Sequence, residues 1–100
     1  VFAIPKLLAR AGKKVADIDL WELNEAFAVQ VLYCRDKLGI PDDRLNVDGG
    51  AIALGHPVGA SGTRIVLHVL NVLRRTGGKR GMAAICIGGG LGGAMLIERV

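Results

Sequence analysis

Met82-Ala83-Ala84-Ile85-Cys86-Ile87-Gly88-Gly89-Gly90-Leu91-Gly92-Gly93-Ala94-Met95-Leu96-Ile97 is the stretch on which the fold turns. An apolar strand, Met82 to Ile87, runs into a glycine turn, and Ala94 to Ile97 returns as a second strand. Gly88, Gly90 and Gly93 satisfy the G-x-G-x-x-G spacing of a dinucleotide loop. That loop requires a following helix whose N-terminus receives the pyrophosphate. Only seven residues follow Gly93, and they read as a strand. Dinucleotide binding is therefore rejected. The turn is a hairpin whose backbone N–H groups can meet a developing negative charge.

Upstream, Ser61 or a neighbour opens a long helix that Gly77-Gly78 stops. It carries Ile65, Val66, Leu67, Val69, Leu70, Val72 and Leu73, too many apolar positions for one face, so burial between two layers is expected. Leu45-Asn46-Val47 reads as a short strand leading to Gly49-Gly50. Phe27, Val31, Cys34 and Leu38 fall on one helical stripe, which Gly39 ends and Pro41 prevents from continuing. Ile18 to Leu23 is a strand ending at Asn24. Pro5, the run through Leu7, Leu8 and Ala11, and Gly12 as a stop give a short first helix. The order is helix, strand, helix, strand, helix, strand, strand. This alternation implies an α/β fold: a mostly parallel layered sheet covered by helices, closed by a terminal antiparallel hairpin. The chain begins at a helix, so the pattern lacks its first strand.

Composition narrows the class. One hundred residues make one small domain, and with four aromatics among 51% hydrophobic residues its core is aliphatic. No apolar run approaches the roughly 20 residues of a membrane-spanning helix, so a chain off the membrane is expected. Two cysteines far apart form no disulfide framework, which points to a reducing compartment, the cytoplasm or an organellar matrix. The net charge of +4 gathers at Lys13-Lys14, Arg74-Arg75 and Lys79-Arg80, around expected helix ends where cations complement the dipole. The same charges would also attract an anionic coenzyme or nucleotide. Nucleic-acid binding finds no support, because basic residues do not alternate with aromatics. Val1 stands where a methionine would open a complete chain, so a piece of a longer polypeptide is expected.

Two glycine-rich turns each hold one reactive side chain. Gly55-His56-Pro57-Val58-Gly59-Ala60-Ser61-Gly62 contains one of only two histidines, and the hairpin turn follows Cys86, one of only two cysteines. Cys86 could be a small buried hydrophobe, but its place at a strand end beside three glycines favours thiol chemistry. His56 could merely bond a turn carbonyl. At the mouth of a helix, however, the neutral, base-competent imidazole is favoured. Both turns follow strands, and in a parallel sheet the carboxyl ends share one edge where ligands bind. His68 inside the long helix reads as structural, and Cys34 on the apolar stripe reads as core. Asn24, at a strand-to-helix junction, reads on its own as an N-cap. No His/Cys cluster has zinc-ligand spacing and no Ser/His/Asp order is evident.

Asn24-Glu25-Ala26-Phe27-Ala28, Gly49-Gly50-Ala51-Ile52-Ala53-Leu54-Gly55-His56-Pro57 with Gly59-Ala60-Ser61-Gly62, and Cys86-Ile87-Gly88-Gly89-Gly90 together closely resemble the C-terminal part of thiolases, over the whole chain and in order. The resemblance implies that residues 1–100 are a partial thiolase C-terminal domain. Thiolases are acyl-CoA acyltransferases that join acyl-CoA units by Claisen condensation or cleave a 3-ketoacyl-CoA with CoA. It implies further that Cys86 is the general acid/base at the α-carbon. His56 would activate a nucleophilic cysteine and donate to the thioester oxygen, while Asn24 would hold a water completing that oxyanion hole. The Gly88 N–H would serve a second hole, and Ala26 and Phe27 would line the pantetheine and acyl pocket. No cofactor is implied, since the coenzyme A thioester is the substrate.

The implied partners are acyl-CoA or CoA, the missing N-terminal thiolase half, and further copies in a homodimer or homotetramer. The nucleophilic cysteine and the loop domain that grips CoA both belong to that missing part. A catalytically silent structural module is therefore the rival reading of the isolated chain. Ketoacyl synthases usually place a histidine where Asn24 stands, and sterol-carrier-type thiolases tend to replace the Asn-Glu-Ala-Phe motif, so Asn24 favours the ordinary thiolases.

Overall fold

The computed structural model describes all residues, Val1–Val100. Helix α1 spans Ala3–Ala11, strand β1 Leu20–Leu23, helix α2 Ala28–Leu38, a one-turn helix α3 Ala51–Leu54, and helix α4 Ser61–Thr76. Strands β2, Arg80–Ile87, and β3, Leu91–Glu98, form the hairpin. The sheet order is β1-β2-β3, with β1 parallel to β2 and β2 antiparallel to β3. The fold is thus α/β around a three-stranded mixed sheet.

Side-chain alternation along the strands creates two cores, one on each face. Trp21, Leu23 and Met82 pack with Ile4 and Leu8 of α1 and with Val31 and Cys34 of α2. Leu20 and Ala83 face the other way and pack with Ile65, Val69, Val72 and Leu73 of α4. Gly12, Gly39 and Gly77 end α1, α2 and α4 in the left-handed conformation, as helix stops of this kind do.

Several local expectations change. The stretch Leu45-Asn46-Val47 is no strand: only single parallel bridges, Trp21 to Leu45 and Val47 to Gly49, remain. Asn46 is the reason, because its φ of 46° breaks the extended backbone. Its side-chain amide continues the pairing instead. Oδ1 accepts from the Leu23 N–H at 2.9 Å, and Nδ2 donates to the Leu23 carbonyl at 3.0 Å. Phe27 leaves the helical stripe; it precedes α2 in extended conformation and is exposed. Helix α4 buries one face only, with Leu67 and Leu70 facing outward. Lys79 and Arg80 lie at the base of the hairpin rather than at a helix end, paired with Glu98 at 3.6 and 3.1 Å.

The approach of α4 to the sheet depends on Gly81 in β2. A Cβ there would overlap Val69 Cγ1 and stand 3.3 Å from Leu73 Cδ1. Val69 is fully buried, and a β-branched residue in a helix has essentially one rotamer, so it cannot turn aside. Gly81→Ala is expected to destabilise the fold by about 1–3 kcal/mol through overpacking. Urea denaturation of the two proteins measures this directly, and an unchanged midpoint would mean that α4 yields.

Candidate active site

The candidate side chains gather at the carboxyl edge of the parallel pair β1 and β2. Asn24 follows β1 directly, and its N–H donates to the Ala84 carbonyl at 2.9 Å, extending the ladder by one residue. The N-cap reading of Asn24 fails. Helix α2 starts four residues later, after Phe27, without any side-chain cap. The Asn24 side chain is instead almost fully buried, and its Nδ2 lies 3.5 Å from His56 Nδ1 across 32 residues of sequence.

His56 sits in the loop between α3 and α4. That loop folds back on itself, with the N–H groups of Ala60 and Ser61 both donating to the Pro57 carbonyl. Ser61, the first residue of α4, is fully buried, and its Oγ lies 2.6 Å from His56 Nδ1. The imidazole itself is exposed. One edge of the ring is therefore anchored by Ser61 and Asn24 while the other is open to a ligand.

A second set of bonds fixes the two loops relative to one another. Glu25 accepts from the Ile52 N–H at 3.0 Å and from Asn46 Nδ2 at 3.1 Å. Gly50 leaves room for this carboxylate: a Cβ there would stand 2.6 Å from Glu25 Cδ. Glu25 thereby ties the segment after β1 to the segment leading to His56. Reading residues singly missed Glu25, Asn46 and Ser61 as site-building groups. The available signal was their place inside or next to the glycine-rich and Asn-Glu-Ala-Phe motifs.

Below this edge, Glu22 of β1 is only 1% exposed and its Oε2 has no hydrogen-bond partner. Burial pushes its carboxyl up to about 7, partly opposed by Arg64 and reinforced by Glu25 and Asp48. His68 lies farther along α4, its Nε2 3.2 Å from Asp48 Oδ2, and Arg75 donates to both oxygens of Asp48 at 2.9 Å. This suits the structural role expected of His68.

Cys86 is exposed near the end of β2, two residues beyond the Ala84 that anchors Asn24. It lines a cleft of about 680 Å³ together with Phe2, Leu7, Tyr33, Gly90 and Leu91. Met82 and Ala84 pack on the α1 side of the sheet, and Cys86 follows their alternation. The structure thus joins Asn24 and His56 on the α4 side and sets Cys86 at the same edge on the other side, with no hydrogen bond between the thiol and His56. Gly88 begins the exposed turn and its N–H donates to no backbone acceptor in the chain. Ala26 is half-buried beside Asn24, its N–H donating to the Asn24 carbonyl at 3.0 Å. Cys34 is buried in the α1–α2 core, as its stripe position requires. No group of three or more His, Cys, Asp or Glu side chains could hold a metal ion, and no helix is long and apolar enough to cross a membrane.

Residues 1–99 match the model of the family described as thiolase, C-terminal domain. The cytosolic acetyl-CoA acetyltransferase of Mus musculus is 53% identical over 97 residues, which cover 97% of this chain and 24% of that protein. Peroxisomal 3-ketoacyl-CoA thiolase B of Rattus norvegicus is 53% identical over 98 residues, covering 97% of this chain and 23% of that protein. Beta-ketoadipyl-CoA thiolase of Pseudomonas knackmussii is 54% identical over 100 residues, covering 98% and 25%. The chain therefore spans about a quarter of the length of these relatives. With a match running nearly end to end and both glycine turns on one sheet edge, the chain belongs to the thiolase C-terminal domain family.

Proposed function

We propose that this chain is the C-terminal part of an acyl-CoA acyltransferase that condenses acetyl-CoA or cleaves 3-ketoacyl-CoA with CoA. The observation that carries this reading is the meeting of Asn24 and His56, 3.5 Å apart, at the sheet edge where Cys86 also ends. A thioester lying across that edge would meet His56 and Asn24 from one side and Cys86 from the other. The α-proton of a thioester is weakly acidic, so the reaction needs both a base and donors for the enolate oxygen. Cys86, as thiolate, takes the α-proton in the condensing direction and returns one in cleavage. His56 and a water held by Asn24 donate to the enolate oxygen. The Gly88 N–H supplies a donor for the acyl group awaiting transfer, and Ala26 and Phe27 border the pantetheine and acyl path. CoA thioesters serve as substrate, no resident cofactor is required, and a homodimeric or homotetrameric assembly in a reducing compartment completes the reading.

The nucleophile that holds the acyl group comes from the other part of the subunit. Cys34 cannot serve, because it is 7% exposed within the α1–α2 core. The chain alone is accordingly expected to be silent, a structural half-site. Incubating it with a 3-ketoacyl-CoA and CoA should give no acetyl-CoA, whereas a longer polypeptide carrying it should. Turnover by the chain alone would refute the half-site reading, and a longer polypeptide with no CoA-dependent cleavage would refute acyl transfer.

A further inference from the structure

We propose that Ser61 is a positioning residue that holds His56 in the Nδ1–H tautomer and so reserves Nε2 for chemistry. Ser61 Oγ has one proton and two neighbours, His56 Nδ1 at 2.6 Å and the Pro57 carbonyl at 3.2 Å. A carbonyl can only accept, so the bond to Pro57 uses the hydroxyl proton. With the hydroxyl proton on that bond, the Oγ lone pair faces Nδ1, and the 2.6 Å contact is then made by an Nδ1–H. Ser61 is fully buried at the start of α4, so water cannot offer the hydroxyl another partner.

Asn24 meets the same assignment only with its amide turned, because Nδ2 is itself a donor. Its Oδ1 is buried without a hydrogen-bond partner, while its Nδ2 faces Nδ1 at 3.5 Å. A half-turn of the amide exchanges the two atoms, gives Nδ1–H a second acceptor and frees Nδ2 to donate elsewhere. The ring is then held from one edge by two acceptors. Nε2 is left with its lone pair, able to accept a proton and afterwards to donate it as N–H. Nothing in this step passes through Ser61; it orients the ring and selects the tautomer.

What Nε2 then does rests on the acyl-transfer reading, but the tautomer does not, and the two are tested apart. The chain holds only two histidines, so nitrogen NMR of the ¹⁵N-histidine-labelled chain resolves both rings, with His68 as an internal reference. The expected spectrum above neutral pH has a protonated Nδ1 and an unprotonated Nε2 on His56. A His56 ring protonated at Nε2 would overturn the proposal. Ser61→Ala should move His56 toward a tautomer mixture and leave His68 unchanged, and a His56 pattern indifferent to this change would also overturn it. If Ser61→Ala does not fold, as collapse of the His68 signals and a red-shifted Trp21 fluorescence would reveal, Ser61→Cys keeps a side chain at this site with a much weaker acceptor and is expected to release the tautomer. In a longer polypeptide with acyl-transfer activity, Ser61→Ala should lower kcat about 10- to 100-fold, with KM little changed, as loss of a group orienting a functional histidine does.

Discussion

Cys86→Ala, in a polypeptide that carries this chain together with its nucleophile, is expected to lower kcat for thioester condensation and cleavage by about 100- to 10,000-fold, the range for loss of a positioned acid or base. The geometry predicts a catalytic loss without a folding loss. The thiol is exposed, makes no hydrogen bond and borders a cleft, so its removal opens no cavity. Stability should therefore stay within about half a kcal/mol, as for ordinary surface changes. Cys86→Ser should be nearly as inactive, because a hydroxyl is far less acidic than a thiol and offers little base at neutral pH. Cys34 is the contrasting control: it is buried in the core, so truncation there should lower stability and spare turnover per folded molecule. Steady-state kinetics beside urea denaturation separates these outcomes. A Cys86→Ala protein within tenfold of the parent rate would remove Cys86 from proton transfer.

Glu22→Gln is expected to raise stability at about pH 8 by about 1–3 kcal/mol and to leave it nearly unchanged at about pH 4. Glu22 has a carboxyl pushed up to about 7 by burial, above its ordinary 4.5. The folded state therefore keeps a proton that the unfolded chain has already released. Between those two values the unfolded state binds fewer protons, so stability falls as pH rises, and the cost is fully present above about 7. A shift of this size corresponds to about 3 kcal/mol at most. Glutamine keeps the shape and cannot ionise, so the variant loses the pH dependence that Glu22 creates. Arg64 lowers the carboxyl only partly, and its Nε has no hydrogen-bond partner of its own. Urea midpoints measured across this range should converge at low pH and separate at high pH. Parallel profiles would mean that Glu22 is ionised in the fold without penalty.

The placement of Glu22 bears on the site as well as on stability. It lies on β1 two residues before Asn24, beneath the edge where Asn24 meets His56. Even on the edge strand β1, a carboxyl oxygen left without a partner at this depth departs from the rule that buried polar groups find partners. The cost of burying this carboxyl thus falls close to the candidate residues Asn24 and His56, and perturbed groups of this kind cluster around reactive sites.

Much of the architecture was legible because it is written in local periodicity. The strand–turn–strand reading of Met82 to Ile97, the helix stops at Gly12, Gly39 and Gly77, and the helix opening at Ser61 each depend on neighbours in sequence. Leu45 to Val47 departs from the strand expectation for the opposite reason. Its alternation suits a strand, but Asn46 adopts the left-handed conformation and pairs with Leu23 through its side chain, a partner 23 residues away. In α4 the apolar positions outnumber one face, but only those turned toward β1 and β2 are buried.

The sequence alone thus determined the α/β class, the three main helices and their stops, the terminal hairpin and, through its three motifs, the family. Those properties follow from side-chain period, glycine stops and residue identity, all local quantities. Only the tertiary structure decided that Asn24 serves His56 rather than capping a helix, that Glu25 bridges Asn46 and Ile52, and that Ser61 grips the imidazole. A short polar side chain can satisfy a cap, a turn or a distant ring equally well by its chemistry. Which of these it meets depends on where the packed sheet and α4 bring the loops, and no local propensity encodes that distance.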